Sequence, residues 1–238
     1  MKTAFLHILL ALSAVVHAMA QEERVEDKPQ EPKGRLAWFI YTRMPDDMEN
    51  PVSVMIDKDI VPVALSKRSS SDPVKVPADG ILRVVRKVEK PKDPDKPEYL
   101  TLAQALVPEK VEQSLIILTP VAPNPEGLVF ECRVIDLAGF TGGSILYLNM
   151  TQKEVSVELG KTKTIIKPDD SKIFNDPAIS EPTSMAISYS YYHPEKKEWK
   201  TLSSSTIAFY PKRREICLFS WDPRYERIDY HGISFPAM

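Results

Sequence analysis

The sequence predicts an all-β protein made of two tandem immunoglobulin-like β-sandwich units related by internal duplication. Three observations predict it. Short apolar runs recur in the same order about a hundred residues apart. Within those runs apolar and polar residues alternate with a period of two, the period of a strand with one buried face. Finally, 21 Pro stand against only 8 Gly. Proline fixes φ and removes a backbone donor, so this balance suits short extended segments separated by turns and disfavours a helical bundle.

Before the first repeat come two segments of a different kind. Lys2 supplies a positive charge, Phe5 to Val16 is apolar except for His7 and Ser13, and Ala18-Met19-Ala20 offers small residues before Gln21. Residues 1–20 therefore read as a secretory signal peptide, with an apolar stretch too short to span a bilayer. No Cys follows it to carry a lipid, and no second long apolar run exists. The mature chain is expected to be exported and to hold no transmembrane segment. Residues 21–34 are charged and Pro-containing, and read as a flexible tether.

The first unit is expected over 35–137, a joint over 138–143 and the second unit over 144–238. Val52-Ser53-Val54 reappears as Val155-Ser156-Val157, 103 residues on. ILRVVRKV (Ile81 to Val88) is answered by MAISYSYY (Met185 to Tyr192) at an offset of 104. Tyr99-Leu100-Thr101-Leu102 is answered by Trp199-Lys200-Thr201-Leu202 at 100, and SLIILTPV (Ser114 to Val121) by EICLFSWD (Glu215 to Asp222) at 101. The connections are also expected to correspond, VPEKVE with YPKRRE and APNPEG with DPRYER. The joint, LAGFTGG, carries three of the Gly residues.

Each element then follows from its pattern. LAWFIYTR (Leu36 to Arg43) is rich in aromatic and β-branched residues and reads as a strand with two partly buried faces. In MAISYSYY, Met185, Ile187, Tyr189 and Tyr191 share one face, and Ala186, Ser188 and Ser190 the other. HPEKKE and PKRR join neighbouring runs as hairpin loops. Leu102 to Val111 has the best helical period in the chain, but its counterpart LSSSTIAFYP argues for a strand. About seven strands per unit suit a sandwich of two sheets.

Composition narrows the function. The formal net charge is -2, with both signs interspersed, so the basic field that nucleic acid requires is missing. Of four His residues only His193 and His231 follow the leader, too few for a multi-histidine metal site. Asp46-Asp47, Asp57-x-Asp59, Asp93-x-Asp95 and Asp169-Asp170 lie beside Pro or Lys, where Asp commonly serves turns. No phosphate-binding Gly loop or nucleophile elbow is present. Ser69-Ser70-Ser71 and Ser203-Ser204-Ser205 lack an adjacent base and read as loop and strand-surface residues. No catalytic residue, metal or cofactor is expected. Cys132 and Cys217 lie in apolar runs, so they read either as a disulfide linking the two units or as two buried free thiols.

Aromatics are concentrated in the second unit. Tyr192, Trp199, Trp221 and Tyr225 border polar loops there and are the candidate ligand- or partner-contacting residues. Flat exposed rings can stack on sugars or anchor a protein partner; the alternative is that they cap the ends of the sandwich.

A leader, a charged tether and two similar β units together resemble exported bacterial surface proteins with tandem Ig-like domains, some of them accessory to pilus-like or adhesion systems. The resemblance implies a non-enzymatic cell-envelope protein of the periplasm or outer surface. It would act in assembly, adhesion or scaffolding, with an envelope or surface protein as partner. Carbohydrate binding through the loop-edge aromatics is the second expectation.

Overall fold

A computed structural model describes residues 34–93, 95, 97–176 and 180–236. The expected signal peptide, and the tether apart from Gly34, lie outside the described residues. Among the described residues every regular element is a strand, and no helix is long and apolar enough to cross a membrane.

The first unit contains β1 (Leu36–Tyr41), β2 (Val52–Ile56), β3 (Asp59–Val63), β4 (Val74–Lys75), β5 (Ile81–Lys87), β6 (Tyr99–Leu106), β7 (Gln113–Pro120) and β8 (Phe130–Asp136). The second contains β9 (Ser144–Met150), β10 (Val155–Leu159), β11 (Thr162–Ile166), β12 (Ser171–Asn175), β13 (Thr183–His193), β14 (Glu198–Phe209), β15 (Arg214–Asp222) and β16 (Arg227–Phe235). Four four-stranded sheets result. Their orders are β3-β2-β5-β6 and β4-β1-β7-β8 in the first unit, and β11-β10-β13-β14 and β12-β9-β15-β16 in the second. Shifting every label by eight turns one unit into the other. Even the unusual parallel pair recurs, β1 beside β7 and β9 beside β15.

Finer features repeat as well. Asp57 and Gly160, 103 positions apart, take the same left-handed turn conformation at φ 54° and 58°. Both β5–β6 and β13–β14 carry a register shift, between Val84 and Val85 and between Tyr189 and Ser190. These bulges correct the alignment of ILRVVRKV with MAISYSYY by one residue. Val84, not Val85, occupies the place of Tyr189, and both point into a core. A one-residue slip exchanges the two faces of a strand, so burial decides the register where the letters are ambiguous. The stretch after Leu106 makes a turn and no helix.

The sheets stack in four layers with three apolar cores between them. Phe39, Ile116 and Leu118 belong to the first unit's core with Val54, Leu82 and Leu102. Tyr147, Cys217 and Phe219 belong to the second unit's core with Val157, Ile187 and Tyr189. The third core lies between the units. Trp38, Ile40, Leu115 and Ile117 leave the back of β1 and β7 and meet Leu146, Leu148, Ile216 and Leu218 from β9 and β15. These four strands are buried on both faces, which accounts for their uninterrupted apolar runs. Each fully buried aliphatic side chain contributes about 1.5–3 kcal/mol of transfer free energy. All the described residues accordingly belong to one compact unit.

Other contacts tie the units together. Trp38 packs on Phe235 with ring centroids 5.2 Å apart, and Phe140 from the joint packs on the same ring at 5.4 Å. Ser70 N donates to Ser234 O at 3.1 Å, and Ser234 N donates to Arg68 O at 2.8 Å. Ser71 N donates to Phe39 O, while Phe39 N donates to the Ser71 hydroxyl at 2.9 Å. The serine run read as a plain loop thus stitches β1 to β16. Arg214 is almost fully buried; its Nε donates to Pro236 O at 2.8 Å and its guanidinium lies 4.6 Å from the Phe235 ring centroid.

The joint allows little substitution. Gly143 has φ 78°, donates its N–H to Arg213 O at 2.9 Å, and would bring a Cβ to 2.6 Å from Pro211 O. Both the backbone angle and the carbonyl oppose a side chain. Gly143→Ala should therefore cost about 1–3 kcal/mol in a urea titration; an unchanged midpoint would refute that account.

Candidate functional site

The two thiols are free. Of the two readings of Cys132 and Cys217, the structure has the buried free thiols and not the disulfide. Cys132 packs against the first unit's core and Cys217 lies in the second's, so both inner sheets and the middle core stand between them. Sulfurs so placed cannot reach bonding geometry. Burial pushes each thiol up to about 12, which keeps both as unreactive neutral groups.

Of the four expected contact residues, the structure brings two together. Tyr192 and Trp199 are cross-strand neighbours on the outward face of β13 and β14, with ring centroids 5.6 Å apart. Trp199 is 38% exposed. Lys163, paired with Glu158 at 2.8 Å, holds its ammonium 5.9 Å from the Trp199 ring centroid. Alternation explains the placement, since Tyr189 and Tyr191 face the core and Tyr192 must face out.

Trp221 serves elsewhere. It follows Cys217 and Phe219 on the core-facing side of β15, and Lys153 sits over both its ring and that of Tyr191, at 5.6 and 5.1 Å. The three groups close one end of the second sandwich. Tyr225, in the β15–β16 turn, lies between the guanidinium groups of Arg224 and Arg227 at 5.4 and 5.2 Å. Among the described residues no ring contact joins Trp221 or Tyr225 to the Tyr192–Trp199 pair.

The carboxylate pairs occupy turns. Asp57 and Asp169 take left-handed backbone conformations, the Asp93 carboxylate accepts from Asp95 N at 3.1 Å, and Asp170 accepts from Ser171 N at 2.8 Å. No group of three or more His, Cys, Asp or Glu suited to a metal occurs among the described residues. Asn149, the first residue of an Asn-x-Thr sequon, is fully buried. Its Nδ2 donates to Lys153 O at 2.8 Å and to Ile166 O and Lys167 O at 3.0 Å. Its Oδ1 accepts from Thr151 N and Oγ1.

His231 lies on the same side of β16 as Ile233 and Phe235, at the rim of the middle core. Burial holds its pKa below the ordinary value; Lys67 adds to that and Asp229 opposes it. A histidine depressed in the folded state binds its proton more weakly there than in the unfolded chain, so protonation favours unfolding. Stability should be highest above pH about 6.5 and fall as the pH drops from there toward the lower folded-state value. Thermal melts of wild type and His231→Gln between pH 7.5 and 5 check this; equal slopes would refute it.

One feature of the second unit has no counterpart in the first. β6 and β14 are equivalent edge strands, yet they are covered differently. Leu102, Ala103 and Ala105 of β6 are 1%, 0% and 3% exposed. The β7–β8 loop, 121–129, folds against them and Val129 N donates to Leu102 O at 2.8 Å. In β14 the corresponding Leu202 and Ser203 are only half-buried, and Ser205 is exposed. The β15–β16 connection, 223–226, is too short to fold over them. Among the described residues β14 pairs only with β13. Two signals in the sequence mark this difference: Ser203 and Ser205 stand where the first repeat has Ala103 and Ala105, and DPRYER is shorter than the stretch that separates β7 from β8.

The chain matches no protein-family model, and no curated protein is similar enough in sequence to count as a match.

Proposed function

We propose that the chain is a non-enzymatic binding protein of the bacterial cell envelope, exported by its leader, that holds partner proteins in an assembly, adhesion or scaffolding role. The carrying observation is the middle core. It makes two sandwiches one rigid block, so that surfaces on either unit keep a fixed relative orientation. That rigidity suits a scaffold or an accessory to a surface fibre, since a partner held at one sheet edge is presented without loss of orientation. Cross-linking followed by affinity purification from envelope extracts should recover a stoichiometric protein partner. Repeated recovery of the chain alone would overturn the proposal.

Glycan binding is a second reading, favoured by the pairing of half-buried Tyr192 with exposed Trp199. Two adjacent rings can stack on a sugar face with little entropy to lose. A glycan array should then give signals that Trp199→Ala abolishes and Trp221→Ala leaves in place, because it is Trp199 that lies beside the Tyr192 ring. Equal loss in both variants, or a blank array, would remove this reading.

A further inference from the structure

We infer that the free edge of β14, over Leu202–Ile207, is a strand-acceptor site for an extended segment of a different protein. The inference rests on the assembly reading and names the surface through which it works.

The duplication itself supplies the comparison. The same strand, with a bulge at the same place, occurs twice in one molecule. In the first copy the chain covers the strand with its own backbone: Val129 caps the carbonyl of Leu102, and Phe130 fills the space beside it. In the second copy no such cover occurs among the described residues, while the strand is longer, 12 residues against 8. Inward positions that are buried alanines in β6 become exposed or half-exposed serines in β14. Unused backbone donors and acceptors along an edge are satisfied by another strand, which gains main-chain hydrogen bonds whatever its side chains.

Apart from the bulge at Leu202, which β6 shares, two usual protections of an edge are lacking here. β14 contains no Pro, and its one Lys, Lys200, lies near the hairpin end and away from Ser203–Ile207. Elsewhere, β3 carries Pro62, β4 is two residues long, and β16 is bridged by Ser69.

The first unit also indicates the occupant's chemistry. It should be extended, with an apolar residue over Leu202, as Val129 lies over Leu102. The positions facing Ser203 and Ser205 should be filled by larger side chains than the first unit could admit above its alanines. A second copy fits poorly. Pairing β14 with itself about Ser204 sets Ser203 against Ser205, and two small polar side chains leave the inward space unfilled.

The test uses the full chain and a phage-displayed library of random ten-residue peptides, followed by synthesis of the enriched sequence. Enriched peptides should alternate apolar and polar residues, and binding should slow amide exchange across 203–207. Ser205→Lys puts a charge into the acceptor space at an exposed position and should weaken binding at least about tenfold. Ile165→Lys, on the opposite edge of the same sheet, should not. Three results would overturn the inference: no enriched peptide, equal binding to Ser205→Lys, or a peptide-free dimer that protects the same amides. If Ser205→Lys still captures the envelope partner, the edge is wrong and the assembly reading stands. If no envelope partner exists, that reading fails by itself.

Discussion

Leu218→Ala should destabilise the whole molecule, not the second sandwich alone. Leu218 is fully buried in the middle core, among Leu148 and Ile216 on its own sheet and Ile40 and Ile117 across the interface. Truncating a buried leucine costs about 2–5 kcal/mol, from lost transfer free energy and the cavity left behind. For a folded region of this size that corresponds to roughly 5–15 °C in Tm. The distribution of the loss matters more than its size. If the middle core makes one cooperative unit, amides of Val84 in β5 and Tyr189 in β13, on the two outermost sheets, should lose the same free energy of opening. Native-state hydrogen exchange measures both. Two independent sandwiches joined by a linker would instead show loss at Tyr189 and none at Val84, and calorimetry would resolve two transitions.

Asn149→Ala is the second large effect. One amide here satisfies three backbone carbonyls and the Thr151 N–H and hydroxyl, all within the junction of β9, β10 and the end of β11. Each buried polar group left without a partner costs about 1–3 kcal/mol, and relaxation keeps the costs from adding in full. A total of about 3–5 kcal/mol is expected in urea unfolding. Asn149→Asp should be at least as damaging at neutral pH, because a carboxylate would face three carbonyl oxygens with no donor for them. A loss below about 1 kcal/mol in either variant would show that the amide is replaceable by water. Asn50 makes a smaller version of this device in the first unit. It donates to Leu65 O at 2.8 Å and accepts from Leu65 N at 2.9 Å.

The candidate site was only partly legible in the sequence. Tyr192 and Trp199 could be identified as surface aromatics because alternation fixes their side of the strand. Nothing local distinguished Trp221 from them; its place on the core-facing side of β15, with Lys153 over its ring from nearly seventy positions away, depends on the fold. The open edge at Ser203–Ser205 could be read only by setting the two repeats side by side, and then only with the bulge register that packing supplied. The two cysteines show the same limit. Apolar runs placed both in strands, but which core each strand faces depends on how the sheets stack.

The sequence by itself determined that the chain forms short strands and that the set occurs twice; it suggested about seven strands per unit where the structure has eight. These follow from side-chain alternation, turn residues and repetition, all of them short-range properties. Only the tertiary structure decided that the copies share a core. The apolar residues on the backs of β1, β7, β9 and β15 look the same whether they are buried within a sandwich or between two. What selects the arrangement is the area that two such faces remove from water when they meet, and that depends on both surfaces together.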